Sequence, residues 1–296
     1  GKIKEALTIA KKVLQFETRH PDINHSIGIM SLQLSHLKEG WINNEYRWKV
    51  DPGNTVIWPI QGKAIWKGEK GKRVAIWKEQ GIGDQIIFLS LIPEVKEMCG
   101  SVSVYVDPRL LPLCRRAMPG INFVEDEKGL KSEKCDYHLP LGSVPGLIRN
   151  DISDFDRTVT GYLKADTQRV EAIRKELKLD GKRVIGISWK SSSTSYETKS
   201  IQLKDMEDMF SGLDVVLVNL QYGDVDDEIR AFKEETGIEV LQCASVDNRE
   251  DLDGLAALIE VCDLVISTSN VTVHLAGALA KETWVLLHHV TLYYWL

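Results

Sequence analysis

The feature that most constrains the fold is a pattern of short apolar segments alternating with amphipathic segments of helical periodicity, which the chain runs through twice. Parallel strands need a crossover between them, and a helix usually supplies it, so this alternation is typical of doubly wound α/β sheets. We predict two such Rossmann-like sheets. The strands are predicted at 73–78, 102–106, 121–125 and 135–138 in the first sheet, and at 183–189, 214–220, 238–241, 263–267 and 283–287 in the second. The helices are predicted at 85–98, 108–117, 203–211, 225–236, 251–262 and 271–280.

Three domains are predicted from this pattern. Residues 1–50 form a helical segment, residues 51–165 the first Rossmann-like domain and residues 166–296 the second. Prolines and glycines make 51–71 irregular, which indicates a linker or docking segment. The chain begins without Met and ends on the apolar stretch VTLYYWL, so we expect a fragment whose second domain is truncated at its C-terminus. A cleft between the sheets is the expected ligand site, because strand carboxyl ends and helix N-termini meet there.

Three short helices are predicted in the helical segment. Apolar or aromatic residues recur at helical spacing in 2–15, 23–34 and 41–48. The arrangement resembles one and a half tetratricopeptide units, with Gly28 at the point where the two helices of such a repeat pack closely. The alternative is a plain α-hairpin that packs on the next domain.

The composition excludes several classes of protein. With 37 basic and 43 acidic residues, the net charge of −6 gives no overall attraction to nucleic acid or to an anionic membrane. No apolar run approaches the roughly 20 residues needed to cross a bilayer, and the N-terminal stretch is amphipathic, so a cytoplasmic location is predicted. The five cysteines are widely spaced without a CxxC pair, which favours buried free thiols over a disulfide framework or a zinc site.

A glycine-rich turn follows the first long strand. In the stretch KEQGIGDQIIF (78–88), Gly81 and Gly83 precede the acid Asp84. Glycine lets the backbone approach a ligand closely, and helix N-termini attract anions, so this turn is a candidate binding loop. Asp84 stands at the start of the following helix, where it either faces a ligand in the cleft or caps the helix. The stretch lacks the third glycine of the GxGxxG dinucleotide fingerprint, which argues against a dehydrogenase.

Polar residues also follow the strands of the second half. The turn STSN (267–270) precedes a helix whose first N–H groups have no intrahelical partner, so it can hold a phosphate or simply cap the helix. The strand GISWK (186–190) leads into a hydroxyl-rich loop, and Lys190 and Lys199 carry ammonium groups that suit a diphosphate. Asp253, at a helix start, is either a ribose contact or a helix-dipole partner. The candidate binding residues are Gly81, Gly83, Ser188, Lys190, Lys199, Gln221, Asp253, Ser267, Ser269, Asn270, Thr272 and His274.

Five stretches together resemble a known superfamily. They are WKEQGIGDQIIFLSLIP, GISWKSSS with the later KSIQL, NLQYGD, DLDGLAALIEVCDLVIS and NVTVHLAGALAKETWVLL. In this order and spacing they are similar to the bacterial tetratricopeptide-linked glycosyltransferases related to the heptosyltransferases, which have the GT-B fold. The resemblance covers nearly the whole chain and says little about the substrate.

The resemblance implies roles for individual residues. Asp84 is similar to the acid that acts as general base in heptosyltransferases. Lys190 and Lys199, with the turn and helix 267–274, would hold the donor diphosphate without a metal, and Asp253 would contact the donor nucleoside. Many relatives have Asp-Thr where this chain has Ser269-Asn270, a difference that bears on the donor's identity and on activity.

The function predicted is an inverting, metal-independent hexosyl- or heptosyltransferase-like enzyme. Its donor would be a nucleotide sugar bound as a substrate, no cofactor is expected, and its acceptor would be a glycan, a lipid-linked sugar or a protein. The acceptor would bind on the first Rossmann-like domain and the donor on the second, with a possible protein partner on the helical segment. Two alternatives are a non-catalytic nucleotide- or sugar-binding protein and a nucleotide-sugar epimerase of similar fold.

Overall fold

The computed structural model describes residues 2–16, 20–50, 58–157, 161–191, 199–288 and 291–295. Within these residues the strands form two parallel five-stranded sheets, so the prediction of an α/β protein with two parallel sheets is confirmed. The first sheet has the order β1-β5-β2-β3-β4, and the second has the order β10-β9-β6-β7-β8. The strands are β1 (Ala64–Ile65), β2 (Arg73–Trp77), β3 (Ser101–Tyr105), β4 (Asn122–Val124), β5 (Tyr137–Pro140), β6 (Val184–Ser188), β7 (Val216–Asn219), β8 (Val240–Leu241), β9 (Leu264–Thr268) and β10 (Thr283–Leu286).

The α-helices lie in the helical segment and in the crossovers between strands. They are α1 (Ile3–Val13), α2 (Pro21–Gln33), α3 (Leu37–Asn44), α4 (Ile82–Leu89), α5 (Ile92–Met98), α6 (Leu111–Ala117), α7 (Glu127–Ser132), α8 (Pro145–Ile148), α9 (Thr167–Leu177), α10 (Glu207–Phe210), α11 (Asp226–Thr236), α12 (Leu252–Glu260) and α13 (Val271–Ala278). In the parts of the chain with assigned structure, no helix has both the length and the apolar character that a bilayer crossing requires.

Each sheet reverses its strand order at one point. The chain moves outward from β2 to β4 and then returns to the other side of β2 with β5, and β6 to β9 repeat this path in the second sheet. Loops that leave neighbouring strands on opposite sides of such a point open a crevice at the carboxyl ends of the strands. The loops after β2, β6 and β9 are therefore placed to form a ligand site.

Two local differences from the predicted elements have identifiable causes. The predicted helix 85–98 is two helices, α4 and α5, because Pro93 has no N–H to donate to the preceding turn and is tolerated only in the first turn of a new helix. Within the predicted linker 51–71, Ala64 and Ile65 form the short edge strand β1, which is too short to give an alternating pattern.

The apolar core continues from one half into the other. One cluster of buried side chains contains Ile86 and Leu89 of the first half together with Leu275 and Ala276 of the second. Four of the five cysteines are buried free thiols and Cys99 is partly buried, which agrees with the prediction. The domain boundaries at 50 and 165 stay a prediction. The shared core crosses the boundary at 165.

The three predicted helices of the N-terminal segment are present as α1, α2 and α3, but the third begins earlier than predicted, at Leu37, and ends at Asn44, where the 3₁₀ helix Glu45–Lys49 follows. Gly28 lies where α2 meets α3, as predicted, since a Cβ placed there would be 2.6 Å from the backbone nitrogen of Asn44. The segment packs on the rest of the chain through Trp41, whose indole N–H donates to the carbonyl of Arg149 at 2.7 Å. The tetratricopeptide character of these helices stays a prediction.

We expect Gly28→Ala to lower the free energy of unfolding by about 1–3 kcal/mol, because the added methyl group meets main chain that cannot change rotamer. The better helix propensity of Ala offsets at most about 1 kcal/mol of this loss. Urea denaturation measures the difference. Gly120→Ala is the matched control, since a Cβ there would meet nothing within 4 Å. Equal stability of the two variants would show that the α2–α3 contact is looser than described.

Candidate functional site

A cavity of about 560 Å³ lies between the carboxyl ends of the two sheets. The first half contributes the glycine turn after β2, the second half contributes the turn after β9, and the segment 291–295 closes one side. The lining residues are Gly81, Ile82, Gly83, Asp84, Arg109, Ser191, Lys199, Tyr222, Asn248, Arg249, Leu252, Ser269, Asn270, Val271, His274, Leu292 and Tyr294. Seven predicted site residues are therefore brought to one cavity: Gly81, Gly83, Asp84, Lys199, Ser269, Asn270 and His274.

The glycine turn lets two helices meet across the cavity. A Cβ at Gly83 would lie 2.8 Å from Cδ2 of His274, so only glycine allows the first turn of α4 to contact α13 this closely. The main-chain N–H of Gly81 donates to Oδ2 of Asp84 at 3.2 Å. Asp84 therefore caps the start of α4, as the alternative predicted, and it also lines the cavity, while its role as a base stays a prediction.

The electrostatic environment of Asp84 favours a basic carboxylate. Burial raises its pKa, and the neighbouring Glu79 raises it further, while the N–H of Gly81 and the ammonium of Lys199 oppose the shift. Burial also lowers the pKa of Lys199, and Asp84 opposes that change. Asp84 and Lys199 thus interact across the cavity, one as a carboxylate with raised proton affinity and the other as a partly buried cation.

Asn270 organises the turn after β9. Its amide nitrogen donates to Oγ of Ser188 at 2.7 Å and to the carbonyl of Lys190 at 3.0 Å. Its Oδ1 accepts from the N–H of Thr272 at 2.9 Å and from Oγ of Ser267 at 3.2 Å. One side chain therefore caps α13 and joins β6 to β9, where Ser188 and Ser267 stand side by side in register.

Four predicted site residues lie behind the cavity wall. Ser188, Gln221, Ser267 and Thr272 are buried, and none of them lines the cavity. Oε1 of Gln221 accepts from Oγ of Ser188 and from two main-chain N–H groups of the loop after β6. These residues shape the backbone that faces the cavity.

Two predicted site residues point elsewhere. The ammonium of Lys190 forms an ion pair with Glu228 on α11. The carboxylate of Asp253 accepts two hydrogen bonds from Arg116 on α6, at 2.8 and 3.1 Å, and so bridges the two halves. Neither Lys190 nor Asp253 lines the cavity. The intervening loop 192–198 lies outside the described residues.

His274 forms the aromatic side of the site. Its ring stacks on Trp295, with centroids 5.0 Å apart and an interplanar angle of 13°. The indole N–H of Trp295 donates to Oγ of Ser269 at 2.9 Å. Burial lowers the pKa of His274 to about 4, and Lys199 contributes, so the imidazole is neutral at pH 7.

Several lining residues were not predicted from the sequence. Arg109 follows β3 and would have been found by the rule applied to the other strands, because it too lies beyond a strand's carboxyl end. Its guanidinium pairs with Asp107 at 2.9 Å and donates to the carbonyl of Arg249 at 3.1 Å, so it reaches across to the second half. Asn248 gives no local signal, since its place is set by bonds from its amide to the carbonyls of residues 219 and 221. Among the described residues, no group of three or more His, Cys, Asp or Glu side chains gathers as metal ligands.

Comparison with known proteins agrees with this architecture. No family model matches the chain. The protein FlbA of Caulobacter vibrioides is 32% identical over an alignment of 278 residues that covers 86% of this chain and 46% of FlbA, so the chain spans about half the length of that relative. The crystal structure of a glycosyl transferase family 9 protein from Veillonella parvula has a TM-score of 0.59 at 12% identity, covering 76% of this chain and 84% of that one. The structure of Escherichia coli ADP-heptose lps heptosyltransferase II has a TM-score of 0.53 at 12% identity, covering 72% and 84%. These likenesses show that the chain shares the fold of those glycosyltransferases.

We expect Asn270→Ala to lower the free energy of unfolding by about 1–3 kcal/mol, because the change removes the cap of α13 and takes away the acceptor of the buried Thr272 N–H and the amide donor to the carbonyl of Lys190. Chemical denaturation at pH 7 measures the loss. Asn122→Ala is the matched control, since Asn122 is an exposed residue at the sheet edge, and it should cost less than about 0.5 kcal/mol. Similar losses for both variants would contradict the organising role of Asn270.

His274 should make the fold sensitive to mild acid. Its pKa is about 4 in the folded protein and 6.5 when unperturbed, so as pH falls through this window the unfolded chain binds a proton that the folded chain does not. Stability is therefore lost between pH 6.5 and 4, and His274→Phe should lack this part of the loss. Denaturation midpoints across this range test the effect. Replacement of the exposed His36 should leave the wild-type profile, and an unchanged profile in His274→Phe would exclude a buried neutral imidazole.

Proposed function

We propose that this protein is an inverting glycosyltransferase that moves a sugar from a nucleotide-sugar donor to an acceptor hydroxyl. One observation carries the proposal: a single cavity joins Asp84 of the first half to Lys199 and the N-terminus of α13 of the second half. A base and an anion-binding site on opposite walls are what a displacement at a sugar carbon requires.

Asp84 is the proposed general base. It takes the proton from the acceptor hydroxyl as the acceptor oxygen attacks the anomeric carbon from the face opposite the leaving group. The raised pKa, caused first by burial, makes the ionised carboxylate a stronger base than an ordinary aspartate. The N–H of Gly81 holds one carboxylate oxygen and so fixes the direction of the other.

The leaving diphosphate is proposed to lie against the second half. As the bond from the anomeric carbon to the diphosphate oxygen breaks, its electron pair stays on the diphosphate. The ammonium of Lys199 and the first N–H groups of α13 offset this negative charge, and Ser269 and Asn270 shape the turn that presents them. With these groups in place, the proposed reaction runs without a metal ion or a cofactor.

The donor, acceptor and partners are parts of the proposal that the geometry defines only by class. The cavity is large enough for a nucleotide sugar, and pockets of several hundred Å³ are usual for such ligands. One structural neighbour is an ADP-heptose lps heptosyltransferase, so ADP-linked sugars are the first donors to test. The acceptor is proposed to be a glycan, a lipid-linked sugar or a protein that enters on the side of Asp84.

Thermal unfolding is to be measured with a panel of nucleoside diphosphates and nucleotide sugars. The donor should raise the melting temperature, since a ligand present at 100 times its dissociation constant adds about 2.7 kcal/mol to the free energy of unfolding. We expect Lys199→Met to raise the dissociation constant obtained from this shift at least tenfold, because the ammonium is proposed to face the diphosphate. Asp84→Asn should keep the shift and lose transfer by at least about a hundredfold. Radiolabelled sugar transfer or donor hydrolysis measures the reaction.

The controls replace matching residues away from the cavity. Lys182→Met and Asp180→Asn change exposed side chains and should behave as wild type. Because burial raises the pKa of Asp84, its ionised form penalises the fold at neutral pH, and Asp84→Asn should be no less stable than wild type. Tight nucleotide binding without turnover would instead favour a binding protein, and no shift from any nucleotide would contradict donor binding.

A further inference from the structure

The helical segment reaches the glycine turn through one buried ion pair. Arg47 lies in the short 3₁₀ helix Glu45–Lys49, and its guanidinium donates to both carboxylate oxygens of Glu79 at 2.9 and 2.7 Å. Both side chains are only 6% exposed. A bidentate pair of this kind fixes the orientation of both partners, and a lysine cannot reproduce its geometry.

Further contacts fix Glu79 in one position. The main-chain N–H of Gly142 donates to Oε1 of Glu79 at 2.9 Å, and a Cβ at Gly142 would lie 2.7 Å from the same oxygen. Arg47 also donates to Oγ of Ser143 at 2.8 Å and lies over the ring of Trp48 at 4.6 Å from its centroid. The pair is therefore part of a packed contact between the helical segment, the glycine turn and the loop after β5.

Glu79 is held in place by these contacts and immediately precedes the turn that leads to Asp84. The next residue, Gln80, has a positive φ of 59°, and Gly81 follows with the N–H that binds the carboxylate of Asp84. Few rotatable bonds separate the buried carboxylate of Glu79 from the cavity. A short stretch of main chain therefore joins Glu79 to the hydrogen bond that orients Asp84.

The same helical segment also holds the opposite wall of the cavity. The amide of Gln33 donates to the carbonyl of Thr291 at 2.8 Å, and Trp41 packs edge-on against Tyr293 with centroids 5.7 Å apart. Residues Leu292 and Tyr294, on either side of that tyrosine, line the cavity. Both walls that flank Asp84 are therefore anchored to the helical segment.

We propose that Arg47 is a positioning residue for Asp84, so that the helical segment is a working part of the transferase site in addition to any role in binding a partner. The inference rests on the proposed function of Asp84 as the base. In this inference the helical segment orients a catalytic residue, which a segment that only binds partner proteins would not do.

The charges around Asp84 make the role measurable. Glu79 raises the pKa of Asp84 and Lys199 lowers it. The nearby side chains of His274 and Tyr293 are both uncharged at physiological pH. Arg47 offsets the charge of Glu79. Loss of Arg47 should leave that negative charge uncompensated and move the acidic limb of the pH profile of kcat to higher pH.

The experiment compares Arg47→Met, Arg47→Lys and the double variant Arg47→Met with Glu79→Gln in the full chain. For Arg47→Met we expect kcat to fall between about tenfold and a hundredfold, as misplaced catalytic groups do, with donor KM changed less than about twofold. Arg47→Lys should keep the position of the acidic limb and recover only part of kcat. The double variant should return the limb toward the wild-type pH while kcat stays low, because charge balance is restored and the anchor is not. Arg73→Met, which removes an exposed bidentate pair with Asp136, is the matched control.

Hydrogen exchange of the unliganded protein separates this inference from the function on which it rests. Amides of residues 80–85 should exchange faster in Arg47→Met than in wild type, while those of β6 stay unchanged. Folded Arg47 variants with wild-type kcat, pH limb and exchange would overturn the inference. If the wild-type protein transfers no sugar but residues 80–85 still exchange faster in Arg47→Met, the anchoring contact is supported and only the proposed function fails. If Arg47→Met does not fold, Arg47→Lys gives the same readouts.

Discussion

The arrangement of the site depends on the contact between the first turns of α4 and α13. Each helix begins where a strand of its own sheet ends, and the absence of a side chain at Gly83 lets the two beginnings touch through His274. Because both helix N-termini then face one cavity, positive ends of two helix dipoles and the side chains of the two turns share one small volume. A side chain at position 83 would press on the ring of His274, so the close approach of the two walls depends on this glycine.

Much of this arrangement follows from local rules that the sequence displays. Alternating apolar and amphipathic stretches indicate two parallel sheets, and the glycine turn and STSN turn are visible because turn and cap residues are defined by their immediate neighbours. The ion pairs of Lys190 and Asp253 do not follow from local rules, because their partners Glu228 and Arg116 are distant in sequence. The same is true of Arg47 with Glu79, for no spacing rule relates residues 32 positions apart. Pairing of that kind is decided by packing, which the pattern of one chain does not contain.

The polar residues of the second half divide into two layers. Asn270 and Gln221 bind main-chain groups and the hydroxyls of Ser188, Ser267 or both, so this layer is buried and internally bonded. Ser269 and Lys199 lie above it and face the cavity. Buried side chains that bond one another and the main chain in this way restrict the conformations of the turn, as the proposed anion site would require. From sequence the two layers look alike, because both consist of small polar residues at strand ends.

The core that continues between the halves has a consequence for how the protein can be dissected. Leu275 and Ala276 of the second half lie in the same buried cluster as Ile86 and Leu89 of the first, so each half covers part of the other's apolar surface. Expressed separately, each half would present an apolar seam to water and would tend to aggregate. The same seam couples the melting of the two sheets, so calorimetry of the intact chain should record one cooperative transition where two independent modules would give two.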